Sequence, residues 1–98
     1  MHKDLISYQL ADGVTEEHLV KVASRIVKEW MKDLPGFIKW EINTNGDGCY
    51  TDVVYWENAA SAKAAEEKMK NIPNGVEWYS CYKPGTISGK HLSKVAEF

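Results

Sequence analysis

Large aromatic side chains are the residues of this chain best suited to holding a small organic molecule. The 98 residues include four tryptophans and five tyrosines, and apolar walls with a few polar groups are typical of small-molecule sites. The candidate ligand-binding residues are Trp56, Tyr8, Trp40, Trp78 and His91. The four aromatic ones are also explained as core, since large rings suit a pleated, half-buried surface. The sequence assigns no residue a catalytic role.

Histidine and cysteine are the other residue types that carry reactive groups here. Histidine can move protons near neutral pH. A folded-back C-terminal tail would bring His91 to the mouth of a pocket, whereas His18 is expected on the surface of a helix and His2 is expected to be terminal and mobile. Cys49 and Cys81 lack CxxC spacing, so we expect free thiols, with a redox or nucleophilic role as the alternative.

Several common chemistries have no motif in this sequence. There is no metal-ligand spacing, no nucleophile elbow and no glycine-rich phosphate loop. Gly46 and Gly48 are explained by a hairpin turn instead. We therefore expect no metal site and no haem, flavin or other cofactor.

Charge and hydropathy limit the partners. Lys and Arg total 12 against 14 Asp and Glu, for a net charge of -2, whereas nucleic-acid binding usually needs a clustered basic face. The apolar runs are too short to span a bilayer. Asp4 precedes any apolar stretch long enough for a signal peptide. We expect a cytoplasmic protein with neither nucleic-acid nor membrane partners.

The spacing of apolar residues predicts the order strand–helix–strand–strand–helix–strand. The predicted elements are a strand over 5–10, a helix over 15–34, strands over 37–43 and 49–57, a helix over 59–70 and a strand over 76–82. This is the order of the ferredoxin-like, split β-α-β plan. We predict an α+β fold with an antiparallel four-stranded sheet, in a single domain over 1–98.

The ends of the helices and the tail follow from individual residues. Thr15 is a predicted N-cap, Asn58 or Ser61 caps the second helix, and Pro35 with Gly36 ends the first. Residues 84–98 are interpreted as a C-terminal extension. This extension could add an edge strand, reach across a dimer, or fray.

Two helices can cover only one face of a four-stranded sheet. The other face still carries rings and aliphatic groups, and a soluble monomer rarely exposes such a patch. A second copy related by a two-fold axis is the simplest cover. We therefore predict a homodimer.

With these elements the chain resembles the dimeric α/β-barrel superfamily, and within it the antibiotic-biosynthesis-monooxygenase-like domains. The resemblance covers roughly residues 5–82. The resemblance is based on three segments, Gly13-Val14-Thr15, Leu34-Pro35-Gly36-Phe37 and Val53-Val54-Tyr55-Trp56-Glu57. It implies a βαββαβ unit that pairs into a dimeric α/β barrel. Members include cofactor-free oxygenases, haem-degrading enzymes and isomerases, so the fold implies no single chemistry.

The haem-degrading branch of this superfamily is similar in one residue only. There, a tryptophan at the position of Trp56 works with an asparagine on the first strand and a histidine on the second helix. The asparagine position falls near Ile6 or Ser7, and residues 59–70 contain no histidine. The resemblance therefore argues against haem degradation.

Three function classes remain open from the sequence. The first is a cofactor-independent monooxygenase, or a related small-molecule oxidoreductase, acting on an aromatic or quinone-like substrate that supplies its own electrons. The second is a small-ligand-binding module without turnover. The third is a structural dimer whose pocket is filled by its own side chains.

Overall fold

The computed structural model describes residues 1–72 and 75–98. Its strands are β1 (His2–Gln9), β2 (Phe37–Thr44), β3 (Cys49–Trp56) and β4 (Ser88–Ser93), and its α-helices are α1 (Glu16–Glu29), α2 (Ala59–Lys68) and α3 (Gly75–Tyr79). The strands form an antiparallel sheet in the order β2-β3-β1-β4. This topology confirms the predicted ferredoxin-like α+β fold.

Helix α1 begins and ends for local reasons. The Thr15 hydroxyl accepts a 3.1 Å hydrogen bond from the backbone N–H of His18, so the predicted N-cap is confirmed. The helix buries one apolar face, which includes Leu19 and Ile26. It ends earlier than predicted, because the chain tightens into a 3₁₀ turn over Met31–Asp33 that buries Met31.

The turn after α1 packs directly on α2. Gly36 has a φ of +80°, and a Cβ placed on it would lie 2.3 Å from the hydroxyl oxygen of Ser61. Only glycine satisfies both the backbone and the contact. Asn58 is the cap of α2, because its side-chain oxygen accepts a 2.8 Å hydrogen bond from the backbone N–H of Ser61. A 3₁₀ turn over Met69–Asn71 follows α2.

The predicted fourth strand over 76–82 is wrong. Residues Gly75–Tyr79 form α3, and Tyr82 makes only an isolated bridge with Leu10. The buried residues of this segment are Trp78, Cys81 and Tyr82. Their spacing of three and four fits a helical turn better than the alternation of a strand.

The fourth strand comes instead from the C-terminal extension, as β4. It pairs with β1 from His2↔Ser93 to Ser7↔Ser88, and all six of its residues are exposed. Backbone hydrogen bonds rather than buried side chains define this edge strand, so it has no apolar alternation. Of the three fates expected for the extension, residues Ser88–Ser93 adopt the edge strand.

The core lies between the sheet and the helices. Alternation along β1 and β3 turns His2, Tyr8, Tyr50 and Trp56 toward the helices, where all four are buried. His2 was expected to be mobile, and this is wrong: β1 begins three residues earlier than predicted, and His2 is held between its partners in β3 and β4.

The state of the two cysteines and the character of the helices bear on two further expectations from the sequence. Cys49 is exposed and Cys81 is buried, and both are free thiols. Among the helices of the described residues, none has the length and apolar character needed to cross a membrane.

Candidate functional site

A carboxyl group buried in the core is the first unusual feature of the site. Asp52 lies on β3 and faces the helices, with only 1% of its surface exposed. The hydroxyl of Tyr8 donates a 2.7 Å hydrogen bond to its Oδ1 atom, and the hydroxyl of Tyr82 lies 3.4 Å from its Oδ2 atom as a weaker donor. Both carboxyl oxygens therefore have phenol donors in place of water.

The surroundings of Asp52 bring its titration close to neutral pH. Burial raises the pKa of Asp52 to about 6, although the hydrogen bonds from Tyr8 and Tyr82 favour the ionised form. Burial and the nearby Asp52 charge raise the pKa of both tyrosines, so the phenols remain protonated donors. A carboxyl group with a pKa near the working pH is suited to general acid–base catalysis.

Stacked and tilted rings surround this carboxyl group. The Trp78 indole N–H donates a 2.6 Å hydrogen bond to the Tyr82 hydroxyl, and the Tyr8 and Tyr82 ring centroids are 4.3 Å apart. The Trp40 ring lies 5.4 Å from that of Trp78, measured between centroids. The chain Trp78–Tyr82–Asp52–Tyr8 therefore forms one polar path through an aromatic core.

Trp40 carries a buried donor without a partner. Its Nε1 atom makes no hydrogen bond with the described residues. The indole lies close enough to Asp52 to favour the ionised carboxylate, but it does not reach hydrogen-bond geometry. A spare buried donor is uncommon, and here it adjoins a cavity.

The cavity has a volume of about 30 Å³. Its lining includes three tryptophans, two methionines and two carboxyl groups: Trp40, Trp56, Trp78, Met31, Met69, Asp4 and Asp52. About one or two water molecules fit this volume, whereas an aromatic ring does not. Entry of a ring therefore requires side chains to move, and the two methionines, each with three rotatable side-chain bonds, are the most adaptable of the lining.

A second polar group lies at the edge of the sheet. The Nε2 atom of His2 is 2.8 Å from Oδ1 of Asp4, and the Nδ1 atom of His91 is 2.7 Å from the same oxygen. The hydrogen bond to Asp4 raises the pKa of His91. These residues line one side of a groove of about 340 Å³. Helix α2 lines the other side with residues that include Lys63 and Glu66.

Trp56 joins the cavity to the groove. Its ring lines the cavity, and its indole N–H donates a 3.1 Å hydrogen bond to Oδ2 of Asp4. The side chain is 1% exposed, and its ring meets Phe37 edge-on with 5.6 Å between centroids. Trp56 thus both fills the core and fixes a carboxyl group of the second site.

The structure separates the five predicted ligand-binding residues into two groups. Trp40, Trp56 and Trp78 line the cavity. Tyr8 is hydrogen-bonded to Asp52, which also lines it. His91 lines the groove instead. Asp4, its hydrogen-bond partner, lines both the groove and the cavity. Their role in binding a ligand stays a prediction.

Sequence reasoning missed four residues of these sites: Asp4, Asp52, His2 and Tyr82. For the two aspartates a signal existed, because alternation places Asp4 with Ile6 and Tyr8, and Asp52 with Val54 and Trp56, on the apolar side of each strand. A charged residue at such a position indicates a functional group. His2 gave no comparable signal, and Tyr82 was assigned to a strand that does not form.

No protein-family model matches the chain, and no curated protein matches it in sequence. Solved structures do match. SnoaB, a cofactor-independent oxygenase from Streptomyces nogalater, has a TM-score of 0.76 at 11% identity, over 98% of this chain and 94% of that one. The monooxygenase ActVA-Orf6 of Streptomyces coelicolor, in complex with nanaomycin D, has a TM-score of 0.64 at 18% identity, over 99% and 89%.

A heme-degrader is also among the similar structures. MhuD from Mycobacterium tuberculosis, with two hemes bound in its active site, has a TM-score of 0.64 at 14% identity, over 100% of this chain and 99% of that one. At such identities these likenesses show a shared fold. It is the fold of structures described as antibiotic biosynthesis monooxygenases, and this confirms the resemblance in fold inferred from the sequence.

Proposed function

We propose that the protein is a cofactor-independent monooxygenase acting on an electron-rich aromatic or hydroquinone-like substrate. The observation that carries the proposal is Asp52, a carboxyl group with a pKa of about 6 buried beside an aromatic-walled cavity. The fold shared with SnoaB, described as a cofactor-independent oxygenase, supports it. The complex of ActVA-Orf6 with nanaomycin D supports an aromatic substrate class.

The proposed reaction begins with proton transfer to Asp52. In its ionised form the carboxylate removes a proton from an acidic C–H or O–H group of the bound substrate. The resulting anion supplies electrons to O₂, the oxidant, and a C–O bond forms to give a peroxide anion, which takes the proton back from Asp52 and becomes a hydroperoxide. Asp52 then removes the second proton from the same carbon, the C=O bond forms as the O–O bond breaks, and the outer oxygen leaves as hydroxide and takes that proton from Asp52 to become water. A CH₂ group and O₂ thereby become a carbonyl group and water.

The neighbours of Asp52 have defined parts in this scheme. Tyr8 and Tyr82 hold the carboxylate in place through their hydroxyl groups. The rings of Trp40, Trp56 and Trp78 provide stacking surfaces and exclude water. The unpartnered N–H of Trp40 can donate to the oxygen on which negative charge develops.

Haem does not fit this site as the resemblance would require. Helix α2 has no histidine to ligate the iron, and Ile6, near the position expected for an amide, lines the cavity with an apolar side chain.

One observation favours the alternative of a small-ligand-binding or structural dimer without turnover. The cavity is closed to about 30 Å³ by the protein's own side chains. On this reading Met31 and Met69 fill the pocket permanently, and Asp52 is a polar core residue satisfied by its tyrosines. Ligand-dependent stabilisation distinguishes the two readings, because a permanently filled pocket gives none.

We also propose that the protein works as a homodimer. Strand β4 leaves one edge of the sheet unpaired in the single chain. Exposed apolar side chains occur in this strand and in the chain before and after it, namely Ile87, Leu92, Val95 and Phe98. An unpaired edge beside exposed apolar groups is a surface that a second copy can cover.

The test of the proposed function is oxygen consumption with a panel of anthrones, naphthols and hydroquinones. Compounds that raise the melting temperature are taken forward and assayed under ¹⁸O₂. We expect one labelled atom in the organic product and one in water, without stoichiometric hydrogen peroxide. Asp52→Asn should lose the activity, and Asp12→Asn, at an exposed position, should keep it. Uptake that yields only hydrogen peroxide, or no uptake with any stabilising compound, would contradict the proposal.

A further inference from the structure

Three side chains from the two ends of the chain bring metal-binding atoms together. The Nε2 atom of His2, the Oδ1 atom of Asp4 and the Nδ1 atom of His91 all lie within 4.8 Å of one another. The sheet register produces this group, because Asp4 pairs with His91 across β1 and β4, and His2 lies on the same face two residues earlier. No ligand spacing is visible in the sequence, because Asp4 and His91 are 87 positions apart in the chain.

From this geometry we propose that His2, Asp4 and His91 bind a divalent first-row transition-metal ion. Two imidazoles and one carboxylate on one side of an ion are a recurring ligand set for such metals. Ligands at right angles around a metal with bonds of about 2.1 Å are about 3.0 Å apart. The observed separations from Asp4 Oδ1, 2.8 Å to His2 and 2.7 Å to His91, are close to this value, and the two histidine nitrogens, which lie within 4.8 Å of each other, would draw together around the ion.

The surroundings hold two of the three donors, His2 and Asp4, in place before any ion binds, whereas the His91 side chain is 68% exposed. The His2 side chain is 9% exposed and Asp4 is 20% exposed. The indole N–H of Trp56 occupies Oδ2 of Asp4 at 3.1 Å and leaves Oδ1 toward the histidines. Hydrogen bonds of this kind orient metal ligands in proteins. The His2 and His91 rings are stacked with 5.9 Å between centroids, so both edges face the carboxylate.

The groove leaves space for further ligands of the ion. It has a volume of about 340 Å³ and is open to solvent, with Glu66 and Lys63 of α2 on its wall. The carboxylate of Glu66 adds negative charge that acts on His91. Three protein ligands with open positions are typical of sites that exchange water or a small anionic ligand.

This inference goes beyond the proposed oxygenase. The ion would lie in the groove, whereas the proposed general base is Asp52 in the cavity, and no step of the oxygenation passes through a metal. Asp4 lines both regions and accepts a hydrogen bond from Trp56 of the cavity wall, so the ion would hold one wall of the cavity in position. The tests below use no organic substrate, so their outcome is independent of the oxygenase proposal.

The test is titration of chelator-treated protein with Zn²⁺ by calorimetry and with Co²⁺ by visible absorption. We expect saturable binding of one ion per chain and an increase in melting temperature with Zn²⁺. His91→Ala should weaken the affinity by at least about tenfold, since even orienting groups change metal affinity by about 10- to 100-fold. His18→Ala is the matched control, because His18 is exposed on α1, and it should bind as the parent protein does.

A second measurement does not depend on any variant folding. In the unsubstituted protein, Zn²⁺ should shift the ring resonances of His2 and His91 in nuclear magnetic resonance spectra and leave those of His18 unchanged. The inference is overturned if the protein binds no ion saturably, or if His91→Ala leaves the affinity unchanged. It is equally overturned if Zn²⁺ shifts the three histidines alike, which would indicate unspecific surface binding.

Discussion

The Tyr8 hydroxyl donates a 2.7 Å hydrogen bond to a carboxyl oxygen of Asp52, and both side chains are at most 2% exposed. A buried carboxylate normally destabilises a protein unless its oxygens are paired. Here pairing with two phenols does not fully offset burial, so the pKa stays raised at about 6. A residue that is unfavourable for folding and adjoins a cavity is a candidate for function.

The first prediction concerns the pH dependence of stability. Because the pKa of Asp52 is about 6 when folded and 3.8 ordinarily, the folded state binds more protons than the unfolded state between these values. The Asp52 contribution to stability therefore falls as pH rises from about 4 to 6. The free energy of unfolding of Asp52→Asn, minus that of the parent, should increase by about 2.5 kcal/mol between pH 4 and pH 7.5.

Urea denaturation at both pH values measures this difference, and Asp12→Asn serves as the control. Asp12 is an exposed aspartate, and its replacement should give no comparable pH-dependent gain. If the difference in free energy of unfolding between Asp52→Asn and the parent is the same at pH 4 and pH 7.5, the pKa of Asp52 is not raised in the folded protein.

The second prediction separates the two roles of Trp56. Trp56→Ala should lower the free energy of unfolding by about 3–5 kcal/mol, because a fully buried ring is lost. Trp56→Phe keeps most of the packing but removes the donor to Asp4, at a cost of about 1–3 kcal/mol. Denaturant unfolding and ligand titration of both variants measure the two effects.

Trp30→Phe is the control for the change of ring, since Trp30 is half-buried and does not line the cavity. If Trp56→Phe loses stability but binds stabilising ligands as the parent does, Trp56 is a structural residue. The cavity hypothesis then loses the residue that the resemblance to the superfamily emphasised most.

Much of the fold followed from the sequence, because apolar spacing and end signals agree for five of the six predicted elements. The sixth failed for a physical reason: Trp78, Cys81 and Tyr82 are large or apolar at short spacing, which fits either a strand or a helical turn. The true β4 has six exposed residues. Only its backbone pairing with β1 defines it, and side-chain patterns do not report backbone pairing.

The candidate site was predictable in its aromatic part only. Trp40, Trp56 and Trp78 stood out by residue type, and the structure brings all three to one cavity. Asp52 is a charged residue on the apolar side of a strand, a signal that alternation carries but residue type alone does not. The group of His2, Asp4 and His91 depends on the register of a strand that was not predicted, so local patterns could not reveal it.

The third prediction concerns the turn between α1 and β2. Gly36→Ala combines a left-handed backbone, with φ of +80°, and a Cβ only 2.3 Å from the Ser61 hydroxyl oxygen. Gly46→Ala is the matched control, since its φ is +90° and nothing lies within 4 Å of the added Cβ. Gly46→Ala should lower the free energy of unfolding by about 1 kcal/mol. Gly36→Ala should lower it by about 1–3 kcal/mol more. Thermal or urea unfolding compares them, and equal losses would show that the contact with Ser61 is unimportant.

The fourth prediction is the homodimer. Light scattering at low micromolar concentration should give about twice the chain mass of 11.1 kDa. Leu92→Lys introduces a charge among the exposed apolar groups beside the free edge of β4 and should weaken the dimer. Val20→Lys, at an exposed position on α1, is the control and should leave the dimer intact. A parent protein that stays monomeric and soluble at millimolar concentration would contradict the dimeric arrangement.

The rate of oxygen consumption as a function of pH tests the central proposal most directly. With a substrate identified from the panel, the rate should rise about tenfold per pH unit below pH 6 and level off above it, as Asp52 ionises. Asp52→Asn should lower the plateau by about 10²- to 10⁴-fold and abolish this step in the profile. A variant that keeps both the rate and the profile would show that Asp52 is not the base and that the cavity is not the site of oxygenation.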